Sequence, residues 1–284
     1  MWLLEAAIVP LFLSLPGAYG QFTSGVNMVE VYATVVDGRG EPVAGLSAAD
    51  FTISEDGARQ AISVFAAGEF PLALAIGLDR SFSMGGKDNR LSVAKSAART
   101  LVGALRPDDQ VMVIAIGGDT TIAAPLSSDR AAALSAIEQL DAWGTTPLYD
   151  AALGVLAAIQ PARGRRALVL LSDGSDRYSD TKAAELVDRA RRYDALVYPV
   201  AVGATRPPVF AELAAATGGR SFFVREPAAL MTTMKQIARE LRFQYLLGYV
   251  PPRPRTEVPS WHAIDVAVDR PDVHVRAREG YSGR

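Results

Sequence analysis

Three short segments of the chain concentrate oxygen-bearing side chains at tight spacing: Asp79-Arg80-Ser81-Phe82-Ser83, Gly144-Thr145-Thr146-Pro147-Leu148-Tyr149-Asp150 and Leu171-Ser172-Asp173-Gly174. Among these, five can serve at strand ends and a helix start: the carboxylates of Asp79 and Asp173 and the hydroxyls of Ser81, Ser83 and one of the two threonines. A small, hard divalent cation takes such oxygen ligands in near-octahedral coordination and keeps several waters. Two carboxylates balance its charge. Neutral hydroxyls donate little further electron density, so the ion still attracts an acidic ligand at an open position. Each group also has an ordinary use: Asp79 and Ser81 suit a helix cap, and Asp173-Gly174 suits a turn.

The rest of the composition narrows the chemistry. The chain has 284 residues, with no Cys and only 2 His. Thiolate zinc sites, iron–sulfur clusters and Cys nucleophiles are therefore excluded, and His-rich zinc or copper enzymes are disfavoured. Lys plus Arg number 29 against 31 Asp plus Glu, a formal charge of -2. That balance lacks the positive excess by which nucleic-acid binders release counterions from phosphate. No Gly-x-Gly-x-x-Gly follows the first buried strand, and no P-loop is present. Ser81 stands where an Asp-nucleophile phosphohydrolase would place its second carboxylate. A Gly-x-Ser-x-Gly elbow is also missing.

The elements that must position these residues follow from periodicity. Residues 71–78 (PLALAIGL) form a continuous apolar run of the kind buried on both faces, and 111–117 and 167–172 repeat it. Leu91, Ala94, Ala98, Leu101 and Leu105 recur at helical spacing, as do Leu134, Ile137 and Leu140. A helix is expected at 148–159, an edge strand containing Pro125 at 120–127, a helix at about 180–193, a strand at 195–202 and a short helix at 208–216. A strand at 221–224 and a last helix carrying Leu230, Met234, Ile237 and Leu241 complete the series. Strands alternating with helices predict an α/β, doubly wound, mostly parallel sheet. In such a sheet ligands collect at the carboxyl ends of the strands, where all three oxygen-rich segments fall.

Residues 26–66 and 243–281 alternate with period two between turn signals, so both read as antiparallel strands. Each is too small to fold alone. The expectation is one composite β-sandwich (26–66 with 243–281) interrupted by an α/β domain at 70–242. His262 and His274 fall in its strands and read as structural.

Asp-x-Ser-x-Ser after the first strand, Thr before x-Leu-Tyr-Asp-Ala, and Ser-Asp-Gly after a later strand resemble the metal-ion-dependent adhesion site of von Willebrand factor type A domains. The resemblance spans about residues 70 to 242. The flanks (29–37, Asp50-Phe51, Glu55-Asp56-Gly57, and Gly-Tyr at 248–249 and 280–281) resemble secreted bacterial VWFA-related proteins. The resemblance implies a Rossmann-like sheet with one antiparallel edge strand. It also implies a bound Mg²⁺, with Mn²⁺ or Ca²⁺ as alternatives, held by Asp79, Ser81, Ser83, Thr146 and Asp173. The family usually shows Gly-Gly-Thr where this chain has Gly144-Thr145-Thr146; the spacing to Leu148-Tyr149-Asp150-Ala151 selects Thr146, with Thr145 as the alternative. A protein partner would complete the metal shell with an Asp or Glu. In relatives, binding at this edge can be coupled to movement of the last helix.

Residues 1–20 contain an apolar run (6–18) and small residues at Ala18 and Gly20, which suits a secretory leader or an uncleaved anchor, although Glu5 precedes the run and no Lys or Arg does. No other stretch is long enough to span a membrane as a helix. The function expected is an exported, non-enzymatic, metal-dependent adhesion or protein-binding module, located in the periplasm, envelope or extracellular space. The alternatives are a structural envelope component whose metal only stabilises the fold, and a Mg-dependent hydrolase. Trp143 is available for a partner or for packing over its loop. Arg80, Lys87 and Arg177 form a basic rim or simply solvated charge, and Asp176 and Asp180 read as helix-start residues.

Overall fold

The structure is a computed structural model that describes residues 28–68, 70–86, 89–251 and 260–283. The expected leader, Lys87 and most of the Pro-rich stretch before residue 260 lie outside the described residues.

A six-stranded sheet forms the centre of the molecule. Its strands are β5 (Leu72–Asp79), β6 (Gln110–Ile116), β7 (Thr120–Ser127), β8 (Arg165–Ser172), β9 (Leu196–Val202) and β10 (Phe222–Val224), numbered after four strands, β1–β4, that precede them in the chain. Their order is β10-β9-β8-β5-β6-β7, parallel except for β7, which runs antiparallel to β6 at the edge. Every residue of β5 is buried, because helices cover both faces. Leu72, Leu74, Ile76 and Leu78 point into one core layer, shared with α1 (Arg90–Gly103), α2 (Arg130–Glu138) and α6 (Pro227–Arg242). Ala73 and Ala75 point into the other, shared with α3 (Leu148–Ile159), α4 (Ala183–Ala190) and α5 (Pro208–Thr217). This is the period-two alternation of a strand expressed as two hydrophobic layers. The fold is α/β and Rossmann-like, as the apolar runs predict.

The flanking segments build two four-stranded antiparallel sheets. One has the order β13-β1-β11-β4, from β1 (Val29–Asp37), β4 (Val64–Gly68), β11 (Gln244–Tyr249) and β13 (Val273–Arg276). The other has the order β14-β12-β2-β3, from β2 (Phe51–Glu55), β3 (Ala58–Gln60), β12 (Ser260–Val268) and β14 (Gly280–Gly283). Val29, Val31, Ala33 and Val35 share one core with Phe51, Ile53, Tyr245, Leu247, Tyr249 and Ile264, so the two sheets pack as a sandwich. Tyr249 and Tyr281 both donate to the buried Glu55 carboxylate, at 2.6 and 3.0 Å.

Two expectations need correction. The alternation after the Asp269–Asp272 turn reads as one continuous strand over 273–281, but this stretch belongs to two strands in different sheets. Between them Glu279 donates its N–H to Ala216 and accepts from Ile264 N, which carries the chain from one sheet to the other. The helix expected at about 180–193 begins only at Ala183, behind an extended Lys182; in the loop before it the Asp150 carboxylate accepts the N–H groups of Asp180 and Thr181 at 2.8 and 3.1 Å.

Arg165, at the start of β8, joins the sheet to the sandwich. It is 2% exposed. Its guanidinium donates to the carbonyls of Phe70 (2.7 Å) and Leu241 (2.5 Å) and to Gln244 Oε1 (2.6 Å), so it grips the chain where it enters and leaves the α/β unit. Gln244 in turn donates to Thr34 of β1 at 2.7 Å. The end of α6 is fixed further by the buried Glu240, which pairs with Arg220 at 2.9 Å and with Arg276 of β13. Truncating Arg165 strands these buried acceptors, which costs about 3 kcal/mol. Arg165→Ala should therefore lower the midpoint of urea unfolding with an unchanged slope.

Candidate metal centre

Position in the sheet decides where these oxygens meet. The chain goes from β5 to β6 and β7, then returns through α2 and α3 to β8 on the other side of β5. Strand order therefore reverses between β5 and β8, and a crevice opens at their carboxyl ends. Leu78 faces Leu171 across that ladder, so the next residues along, Asp79 and Ser172, emerge side by side.

Asp79 is fully buried. Its Oδ1 accepts the Ser81 N–H at 2.9 Å and the Thr146 hydroxyl at 3.3 Å, and its Oδ2 accepts the Ser172 hydroxyl at 2.6 Å. The hydroxyls of Ser81 and Ser83 lie 3.1 Å apart. Asp173 accepts the Ser175 N–H at 2.9 Å, with Arg90 3.7 Å from its other oxygen. Thr146 is buried whereas Thr145 is exposed. Asp79 and Ser81 do not cap the following helix, since α1 begins at Arg90 behind Asn89.

The donor set suits a hard cation. Asp79's hydrogen-bond partners are neutral, and the charged group acting on it is Asp173, a second carboxylate. Burial, first, and then Asp173 push the Asp79 carboxyl above the usual carboxylate range, against the pull of its hydrogen bonds. A buried carboxylate without a compensating cation is costly. A divalent ion bound by these oxygens would relieve that cost.

Backbone hydrogen bonds knit the loops together. Trp143 N donates to Arg80 O at 2.6 Å, Phe82 N to Gly144 O at 3.0 Å and Arg177 N to Thr146 O at 2.7 Å. Gly144 has φ +70°, and a Cβ there would lie 2.4 Å from Gly118 N, so the approach of this loop to the end of β6 needs glycine. Asp176 Oδ1 accepts the Tyr149 N–H at 3.1 Å and the Ser179 hydroxyl at 2.6 Å, and Ser179 Oγ accepts from Tyr149 and Asp150 N at 3.1 and 3.2 Å. Asp176 thus serves the start of α3, and the Asp180 backbone is held by Asp150. Of the expected basic rim, Arg80 pairs with Asp119 at 3.3 Å and Arg177 is exposed.

Sequence reasoning missed two things. Ser172 supports Asp79 directly; its place at the end of a buried strand, beside Asp173, was the available signal. His262 contacts Asp56 at 2.9 Å and Ser260 at 2.8 Å, and lies near Glu55, so these two acids and the imidazole form a compact group in the sandwich. Glu55-Asp56-Gly57 reads as a simple turn, and nothing in it shows that residue 262 arrives opposite.

A parallel α/β sheet with clustered oxygen donors at its switch point defines a class of ligand-binding folds. Residues 74–175 match the von Willebrand factor type A domain family, and this chain carries such a domain. No curated protein sequence matches the chain. Among solved structures it is similar to a von Willebrand factor type A protein from Catenulispora acidiphila, at 16% identity and TM-score 0.55, over 81% of this chain and 71% of that one. It is also similar to proximal thread matrix protein 1 from the mussel byssus with a zinc-occupied MIDAS motif, at 17% identity and TM-score 0.56, over 66% and 50%. A third is the vWF domain of a type V pilus tip protein from Porphyromonas gingivalis, at 11% identity and TM-score 0.52, over 60% and 95%. At these identities the likeness concerns the fold.

The raised Asp79 carboxyl has a consequence for metal-free protein. The folded state keeps a proton that the unfolded chain has already released, so this group's contribution to stability falls as pH rises from the unfolded carboxylate range through the raised one. In chelator near neutral pH, Asp79→Asn should melt no lower than wild type. Added Mg²⁺ should raise the melting temperature of wild type and leave the variant unchanged, as differential scanning calorimetry would read.

Proposed function

We propose that the chain is an exported, non-enzymatic binding module that recognises a protein partner through a divalent cation. Asp79, Ser81, Ser83, Thr146 and Asp173 hold the ion, and an Asp or Glu of the partner completes its shell. When bound, the cation supplies an electrophilic point for that carboxylate; the protein's residues fix its position and leave its charge balanced by two anions. Mg²⁺ is the preferred ion because every donor is a hard oxygen, with Mn²⁺ and Ca²⁺ as substitutes.

The observation that carries this reading is the buried Asp79 carboxylate, facing a second carboxylate and three hydroxyl-bearing neighbours at the switch point of the sheet. The likeness in fold to a type V pilus tip protein and to a thread matrix protein of the mussel byssus supports the exported and adhesive parts of it. Among the described residues no helix is long and apolar enough to cross a membrane.

Pull-down from the envelope of the producing cell, in Mg²⁺ and then in excess chelator, tests the proposal. Partner capture should require the metal, and Asp79→Ala should weaken it by more than about tenfold while leaving the circular dichroism spectrum intact. Thr146→Ala should lower Mg²⁺ affinity in calorimetric titration, whereas Thr145→Ala should not. Capture that persists undiminished in chelator or in Asp79→Ala sinks the mechanism.

A further inference from the structure

Large apolar side chains exposed to solvent are few among the described residues. Those that are aromatic are Phe82, Trp143 and Tyr178, at 63%, 56% and 81% exposure. Each lies on a different one of the three loops that surround the candidate metal centre. Phe82 stands between Ser81 and Ser83. Trp143 donates its N–H to Arg80 O, and Tyr178 follows Arg177, whose N–H is bonded to Thr146 O. Among the described residues, none of the three rings stacks on another ring or lies under a cationic side chain.

Their backbones are fixed although the rings are largely open to solvent, that of Trp143 resting beside Gly118. Phe82 and Trp143 donate their own N–H groups to neighbouring site loops. Tyr178 has φ +69°, a left-handed conformation that is costly for an aromatic residue. It is held there from both sides, by Arg177 N on Thr146 O and by Ser179 Oγ on the first N–H groups of α3. Strain maintained by so many bonds, to present a ring to water, is the kind found at binding surfaces. Rigid aromatic side chains supply contact area at little cost in conformational entropy.

Resting on the metal-binding reading above, we infer that the three rings form a recognition rim around the cation, and that the partner presents an Asp or Glu flanked by aliphatic or aromatic residues. Charge and shape complement each other in that arrangement. The cation and the exposed Arg177 face the carboxylate, and Phe82, Trp143 and Tyr178 cover the apolar neighbours and exclude water from the metal-bound oxygen. Coordination alone selects any accessible acid; the rim selects its context.

Two short peptides with a single central Asp test this with the full chain. One has Leu and Phe on both sides of the Asp and the other has Ser and Gly. In Mg²⁺ the apolar-flanked peptide should bind about tenfold more tightly, the effect of one or two buried aromatic anchors. The combined Phe82→Ser, Trp143→Ser and Tyr178→Ser variant should bind both peptides equally while keeping the wild-type thermal shift with Mg²⁺. Tyr178→Gly, which removes the positive-φ cost, should melt no lower than wild type yet lose part of the preference. Equal affinity of wild type for the two peptides, or an undiminished preference in the triple variant, overturns the rim. So does self-association of wild type that the triple variant abolishes, without peptide preference, since a second copy is then the occupant. Absence of any Mg²⁺ effect on wild-type melting and on peptide binding instead overturns the metal reading, so the two failures are distinguishable.

Discussion

A carboxylate sealed from water beside a second carboxylate is the constraint on which the rest of this structure turns. Asp79 is the last residue of the central strand, and burial makes its charge expensive wherever no cation answers it. Three neutral donors ease the cost without removing it. The sheet could have ended β5 in an apolar residue, as it does nearly everywhere else along that strand. Instead the order β8-β5-β6 brings Asp79 and Ser172 out together, with Asp173 immediately beyond.

The loops around that point are not loosely draped. Bonds from Trp143, Phe82 and Arg177 to carbonyls of neighbouring loops tie the three segments into one piece, and Asp176 and Ser179 occupy the free N–H groups at the start of α3. A site built this way carries little reorganisation cost on binding. The aromatic side chains on the same segments inherit that rigidity, and this is why their exposure carries meaning that a scattered surface Leu would not.

The α/β layers, the antiparallel edge strand at 120–127 and the helix at 148–159 were legible because their apolar periodicities run long enough to be unambiguous. The oxygen-bearing side chains stood out because each sits within four residues of a strand end or helix start. What escaped was set by contacts distant in sequence. Nothing local in 273–281 shows that Ala216 and Ile264 bond to its middle where it passes between two sheets, and nothing in 173–182 shows that Asp150 will hold the loop ahead of the helix. Ser172 looked like one member of a Ser-Asp-Gly turn until strand register set it against Asp79. The meeting of His262 with Asp56 depends on a pairing across more than two hundred residues.

Arg165 closes the far end of the same strand that delivers Ser172. Its three bonds gather Phe70, Leu241 and Gln244 at the amino edge of the sheet, opposite the edge where Asp79 and Asp173 lie. A pull applied at Asp79 and Asp173 would therefore run lengthwise along β5 and β8 to the sandwich. Because the two parallel strands would be loaded at the same end, their paired rungs, Leu72 with Arg165 through Leu78 with Leu171, would carry little shear, and each backbone would take its share along its own length.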